Sequence, residues 1–175
     1  VMMSERARAA IDATTSSSFA CDLKKWLQIM ETYEGGGHAY HTTMPTDALT
    51  RTRDVMAETR AIGFARLRAA QLELGQRVRA LMQRHGYPSV AAEGFQAPGV
   101  VVSYTSDAGL STAKSFIALG LQTAAGVPLQ CDEGADFKTF RIGLFGLEKL
   151  LNVDRTVAHL ESALNQVAGD QRQAA

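Results

Sequence analysis

Cysteine is scarce in this chain: two in 175 residues, Cys21 and Cys131, far apart. Neither has a second cysteine or a histidine at metal-ligand spacing. That argues against a zinc site and against a disulfide framework, and makes a reduced, cytoplasmic compartment the expected setting. Net charge is missing too, with 18 Lys and Arg set against 18 Asp and Glu. A neutral chain offers no bulk attraction to nucleic acid or to an anionic membrane. No apolar run approaches the roughly 20 residues of a membrane helix. No secretory signal is expected, because Val1-Met2-Met3-Ser4-Glu5-Arg6 turns polar at once. A chain written from valine is expected to be a fragment or to have a trimmed start.

What is present suits a folded protein. Hydrophobic residues make up 46% and charged residues 21%, ordinary values for one medium domain or parts of two. Ser4 opens a short helical pattern to Ile11, and Thr14 to Ser18 read as a polar connector. Asp22 can cap a helix whose Leu23, Trp26, Leu27 and Met30 fall on one face, and Gly35 to Gly37 stop it. Pro45-Thr46-Asp47 opens the next helix, with Ala48, Leu49, Val55 and Met56 on its apolar side and a weak point at Gly63. A longer helical pattern carries Phe64, Leu67, Leu74, Val78, Leu81 and Met82 and ends at His85-Gly86. Arg66, Arg68, Arg77, Arg79 and Arg84 lie along it. Without interleaved aromatics they read as a solvated helix surface rather than a nucleic-acid face.

After residue 88 the period changes. Val90 to Ala92, Val100 to Tyr104, Leu121 to Ala125 and Phe140 to Phe145 read as strands, and Ser111 to Leu119 as a short helix. A strong amphipathic helix follows through Val153, Val157, Leu160, Leu164 and Val167. The tail from Gly169 is expected to fray. No internal repeat is visible.

The chemistry concentrates in two places. Gly35-Gly36-Gly37-His38-Ala39-Tyr40-His41-Thr42-Thr43-Met44-Pro45-Thr46-Asp47 gathers hydroxyls and imidazoles ahead of a helix N-terminus, where proteins hold phosphates. Tyr40 and Thr43 can donate to a phosphate; the other reading is a hydroxyl-rich turn that caps the helix. In the Phe140 strand, Phe140, Ile142 and Leu144 share one face and Arg141, Gly143 and Phe145 the other. A guanidinium within an apolar run needs a partner. Arg141 either meets an internal Asp or Glu or grips a ligand carboxylate through parallel hydrogen bonds, with Gly143 clearing space beside it. His38 and His41 have no third ligand at metal spacing. His85 and His159 read as structural or surface residues, and Ser16 to Ser18 as a loop.

These residues resemble a known pattern. Ser18-Phe19 with Asp22-Leu23-Lys24-Lys25-Trp26-Leu27, then Tyr40-His41-Thr42-Thr43-Met44-Pro45, then Phe140-Arg141-Ile142-Gly143-Leu144-Phe145-Gly146 resemble, in order and spacing, the C-terminal part of class V aminotransferases. These are pyridoxal 5'-phosphate enzymes of the alanine–glyoxylate and serine–glyoxylate type. The resemblance implies an α/β fold: residues 1–62 closing a large cofactor-binding domain, and residues 63–175 forming a small C-terminal domain with an antiparallel sheet packed against helices. It implies that Tyr40 and Thr43 serve the cofactor phosphate of the neighbouring subunit in a homodimer. It implies that Arg141 binds the α-carboxylate of a small amino acid or 2-oxo acid. The family's cofactor-bound lysine lies upstream of a short strand that Val1 finishes, and Lys24, Lys25, Lys114, Lys138 and Lys149 match nothing catalytic. The isolated chain is therefore expected to be inactive. The alternatives are a non-catalytic binding or dimerisation module of the same fold, and a lyase or desulfurase built on it.

Overall fold

Capping residues set the first helices. In the computed structural model, which describes residues 2–130 and 132–174 with side chains described to residue 169, helix α1 (Glu5–Ala13) starts where the Ser4 hydroxyl accepts from the Ala7 amide at 3.2 Å. Helix α2 (Leu23–Glu34) starts where Asp22 accepts from the Lys25 amide at 3.0 Å. Each cap satisfies an amide that the helix itself leaves without a partner. Val1, expected to finish a strand, and Cys131 lie outside the described residues.

The chain divides into two compact units, Val1–Arg53 and Asp54–Ala175, the division falling within helix α3 (Thr46–Ile62). In the first unit the Lys24 ammonium donates to the Asp12 and Thr14 carbonyls at 2.7 and 3.1 Å, and Arg8 pairs with Glu31, tying α1 to α2. No residue of α1, α2 or α3 is buried. The apolar faces expected of α2 and α3 exist, but Met30, Leu49 and Met56 stand exposed.

The second unit holds the core. Helix α4 (Phe64–Arg84) buries Leu67, Leu74, Val78, Leu81 and Met82, the spacing the sequence shows, and ends at His85 ahead of Gly86 with φ +79. Strands β1 (Val100–Tyr104), β2 (Ala124–Ala125) and β3 (Thr139–Gly143) form an antiparallel sheet in the order β1-β3-β2. Val102 and Ala124 pair with Arg141 from either side. Short helices α5 (Ala108–Ser111), α6 (Lys114–Ala118) and α7 (Leu147–Leu150) precede the long α8 (Val153–Ala174). Val101, Phe140, Ile142 and Leu144 meet Leu110, Phe116 and the α4 and α8 side chains in one core. Each such burial contributes about 1.5–3 kcal/mol. Phe140 sits edge-on to Tyr87 at 5.4 Å and tilted to Phe116 at 5.8 Å.

Several boundaries differ from the sequence expectation. Val90 to Ala92 form no strand; Ser89 bridges Ser103 and the Val90 amide donates to Val102 before the chain turns away at Gly94, φ +84. The pairing is confined to Pro88–Val90, where the Pro88 carbonyl accepts from the Tyr104 amide at 2.9 Å. The expected helix from Ser111 to Leu119 is split into α5 and α6 at Ala113, which adopts the left-handed conformation at φ 63. Only Ala124–Ala125 of the expected Leu121 strand pairs, and β3 ends at Gly143, short of Phe145. Helix α8 continues past Gly169 to Ala174 rather than fraying there.

One stripe of α4 fixes β1. Gln71, Gly75 and Arg79, four residues apart, face the segment that leads into the strand. Gln71 donates to the Pro98 carbonyl at 2.9 Å, and Arg79 to the Ala97 and Val100 carbonyls at 2.7 and 2.9 Å. A Cβ on Gly75 would come within 2.7 Å of the Pro98 oxygen, so only glycine permits the approach. Burial holds the Arg79 guanidinium below its ordinary pKa, and its Nε is buried without a partner.

Candidate functional site

The loop after α2 is built by its glycines. The Gly35, Gly36 and Gly37 amides return to the Glu31, Tyr33 and Thr32 carbonyls, and Gly36 takes φ +78, which ends the helix. Beyond it, the Tyr40 hydroxyl and the Thr43 hydroxyl lie 3.1 Å apart, and Tyr40 is 72% exposed. Helix α3 begins at Thr46, with the Leu49 amide donating to the Pro45 carbonyl. Thr46 and Asp47 therefore form its first turn rather than a cap ahead of it.

His41 does something the sequence did not show. Its ring stacks at a tilt on Phe19 (centroids 4.4 Å) and meets Trp26 edge-on at 5.0 Å, while Nε2 lies 3.3 Å from the Phe19 carbonyl. His38 instead lies edge-on to Tyr33 at 5.8 Å. No group of three or more His, Cys, Asp or Glu gathers among the described residues. His85 occupies the C-cap of α4 and His159 is exposed on α8. Ser16 and Ser18 accept from the Ser18 and Cys21 amides, as turn residues do.

In the second unit Arg141 lies on the sheet face opposite Phe140 and Ile142, half-buried rather than sealed in the apolar run. Its Nε donates to the Ala125 carbonyl at 2.9 Å. No carboxylate pairs with it among the described residues, so the internal-acid reading finds no partner. The Ala125 contact fixes the guanidinium and leaves its two terminal amino groups for an end-on pair of hydrogen bonds to a carboxylate. Gly143 leaves room that the Phe145 ring partly fills, 3.3 Å from where a Cβ would stand. A separate open cleft of about 690 Å³ runs between Ser111 and the loop from Gly126 to Lys138.

The chain thus carries two donor sets. Two hydroxyls one hydrogen bond apart can donate to a phosphate, and a guanidinium with no acid partner among the described residues can take a carboxylate. The sequence signalled both through residue type and order. It carried no signal for the Ala125 carbonyl, because any residue supplies one.

The three-stranded antiparallel sheet is backed by α4 and α8. Among solved structures the chain is similar to alanine–glyoxylate aminotransferase from Nostoc sp., with a TM-score of 0.74 and 19% identity over 95% of this chain. That identity establishes likeness of fold. The chain spans 42% of the length of that neighbour. No protein-family model and no curated protein matches the chain.

Proposed function

We propose that this chain is the C-terminal portion of a pyridoxal 5'-phosphate-dependent aminotransferase. The parent enzyme would move an amino group between a small amino acid, alanine- or serine-like, and a 2-oxo acid such as glyoxylate or pyruvate. The observation that carries the reading is Arg141: a guanidinium fixed through Nε to Ala125, with no acid partner among the described residues, in a chain that shares the aminotransferase fold. When bound, the cofactor supplies the electron sink that makes an amino acid Cα–H bond acidic. Arg141 would hold the substrate α-carboxylate and so set the angle of that bond, a positioning contribution. Tyr40 and Thr43 would donate to the cofactor phosphate, serving the neighbouring subunit of a homodimer. On this reading residues 1–62 close the large domain, residues 63–175 form the small one, and the setting is cytoplasmic. Among the described residues no helix is long and apolar enough to cross a membrane.

The five lysines of the chain, Lys24, Lys25, Lys114, Lys138 and Lys149, occupy positions that match no catalytic lysine of the family. The Lys24 side chain is tied to the Asp12 and Thr14 carbonyls, a structural contact. We therefore propose that the chain alone performs no amino transfer. In the parent enzyme, Arg141→Ala removes two charge-assisted hydrogen bonds of about 1.5–3 kcal/mol each. It should lower kcat/KM for α-carboxylate substrates by at least about a hundredfold, chiefly through KM. An unchanged KM overturns the assignment.

A further inference from the structure

We propose that His41 is a positioning residue that presets the Tyr40 and Thr43 hydroxyl pair; the inference rests on reading that pair as the phosphate contact. The loop has little else to hold it. After the Gly37 amide returns to Thr32, the next backbone hydrogen bond runs from Thr46 to Met44. Among the described residues, the hydrogen bond that joins residues 38–43 to chain outside the loop is the one between His41 Nε2 and the Phe19 carbonyl. A carbonyl only accepts, so Nε2 carries the proton and donates. The imidazole is also fixed by its two ring contacts, with Phe19 and Trp26.

The anchor is itself braced. The Trp26 indole donates to the Ala20 carbonyl at 3.0 Å, and the Ser18 hydroxyl accepts from the Cys21 amide at 3.1 Å. Residues 18–21 are thereby fixed to α2, and His41 fixes the loop to residue 19. Tyr40 is the neighbour of His41 and Thr43 stands two residues on. The chain bends at His41 and Thr42, which lets the side chains of Tyr40 and Thr43 come together on the far side of the bend. With His41 turned inward, Tyr40 turns out to solvent, where it is 72% exposed and 3.1 Å from the Thr43 hydroxyl. Without His41 the pair has only its mutual hydrogen bond, and the competent arrangement becomes one of many. A fall in its population to about a tenth weakens phosphate binding about tenfold.

The test uses the full chain and three variants. His41→Ala removes ring and donor, His41→Phe keeps a ring without the donor, and His41→Gln keeps a donor without the ring. Amide NMR relaxation reads the order of residues 39–43, and emission of Trp26, the one tryptophan in the sequence, reads the cluster. Amide shifts of Tyr40 and Thr43 during inorganic phosphate titration read the site. His41→Ala should disorder residues 39–43, red-shift Trp26 and weaken the phosphate response about tenfold, with the amide spectrum of β1 and β3 unchanged. His41→Gln should restore order and response in part. Unchanged loop order in His41→Ala overturns the positioning role. A loop that loosens while phosphate moves neither Tyr40 nor Thr43 in the unmutated chain overturns the phosphate reading, and with it the role assigned to His41.

Discussion

Replacing a glycine by alanine inside a helix ordinarily stabilises a protein by about 1 kcal/mol, since glycine loses more backbone freedom on folding. In this chain two helical glycines should respond with opposite signs. Gly169 lies in α8 with nothing within 4 Å of an added Cβ, so Gly169→Ala should stabilise by up to about 1 kcal/mol. Gly75 lies in α4, where the same Cβ would stand 2.7 Å from the Pro98 oxygen and 2.9 Å from its Cα. Both are backbone atoms, unable to swing aside. The segment must move by several tenths of an ångström, an overpacking cost of about 1–3 kcal/mol. That movement also draws the Pro98 carbonyl from Gln71, 2.9 Å away, at a further cost of about 1 kcal/mol. Set against the helical gain, Gly75→Ala should destabilise the second unit by about 1–3 kcal/mol, or about 4–12 °C in Tm. Hydrogen exchange of the β1 and β3 amides under increasing urea isolates that unit from the first. Equal stabilisation by both substitutions would show that α4 does not press on residue 98, and the docking stripe of Gln71, Gly75 and Arg79 would fall with it.

Phe140 is 1% exposed and touches Tyr87 and Phe116, so Phe140→Ala should cost about 3–5 kcal/mol and collapse the protection of β3 in the same exchange measurement. Arg79→Met strips the Ala97 and Val100 carbonyls of a donor and should lower the urea midpoint; removing the desolvated Nε offsets part of that loss, so the drop should be under about 3 kcal/mol. Borohydride reduction of the chain with pyridoxal phosphate, followed by peptide mapping, should show scattered labelling of exposed lysines. Stoichiometric labelling of one lysine would contradict the proposed division of the active site.

The sequence by itself determined the main elements and the inward faces of α4, β3 and α8. Periods of three and four in α4 and α8, and of two in β3, fix which residues can share a side, because helix and strand geometry are local. Caps at Ser4 and Asp22 and stops at Gly35 and Gly86 were legible for the same reason: each is a contact between neighbours in the chain. Tyr40, Thr43 and Arg141 were legible as chemistry, since hydroxyl and guanidinium are properties of residue type. Only the tertiary structure decided what those groups meet. That Arg141 leans on Ala125, sixteen residues earlier, follows from strand pairing. That His41 sits between Phe19 and Trp26, and that Gly75 must admit Pro98, follows from packing over many intervening residues. Such contacts depend on backbone atoms and shapes brought together by folding, and these leave no mark in the spacing of residues along the chain.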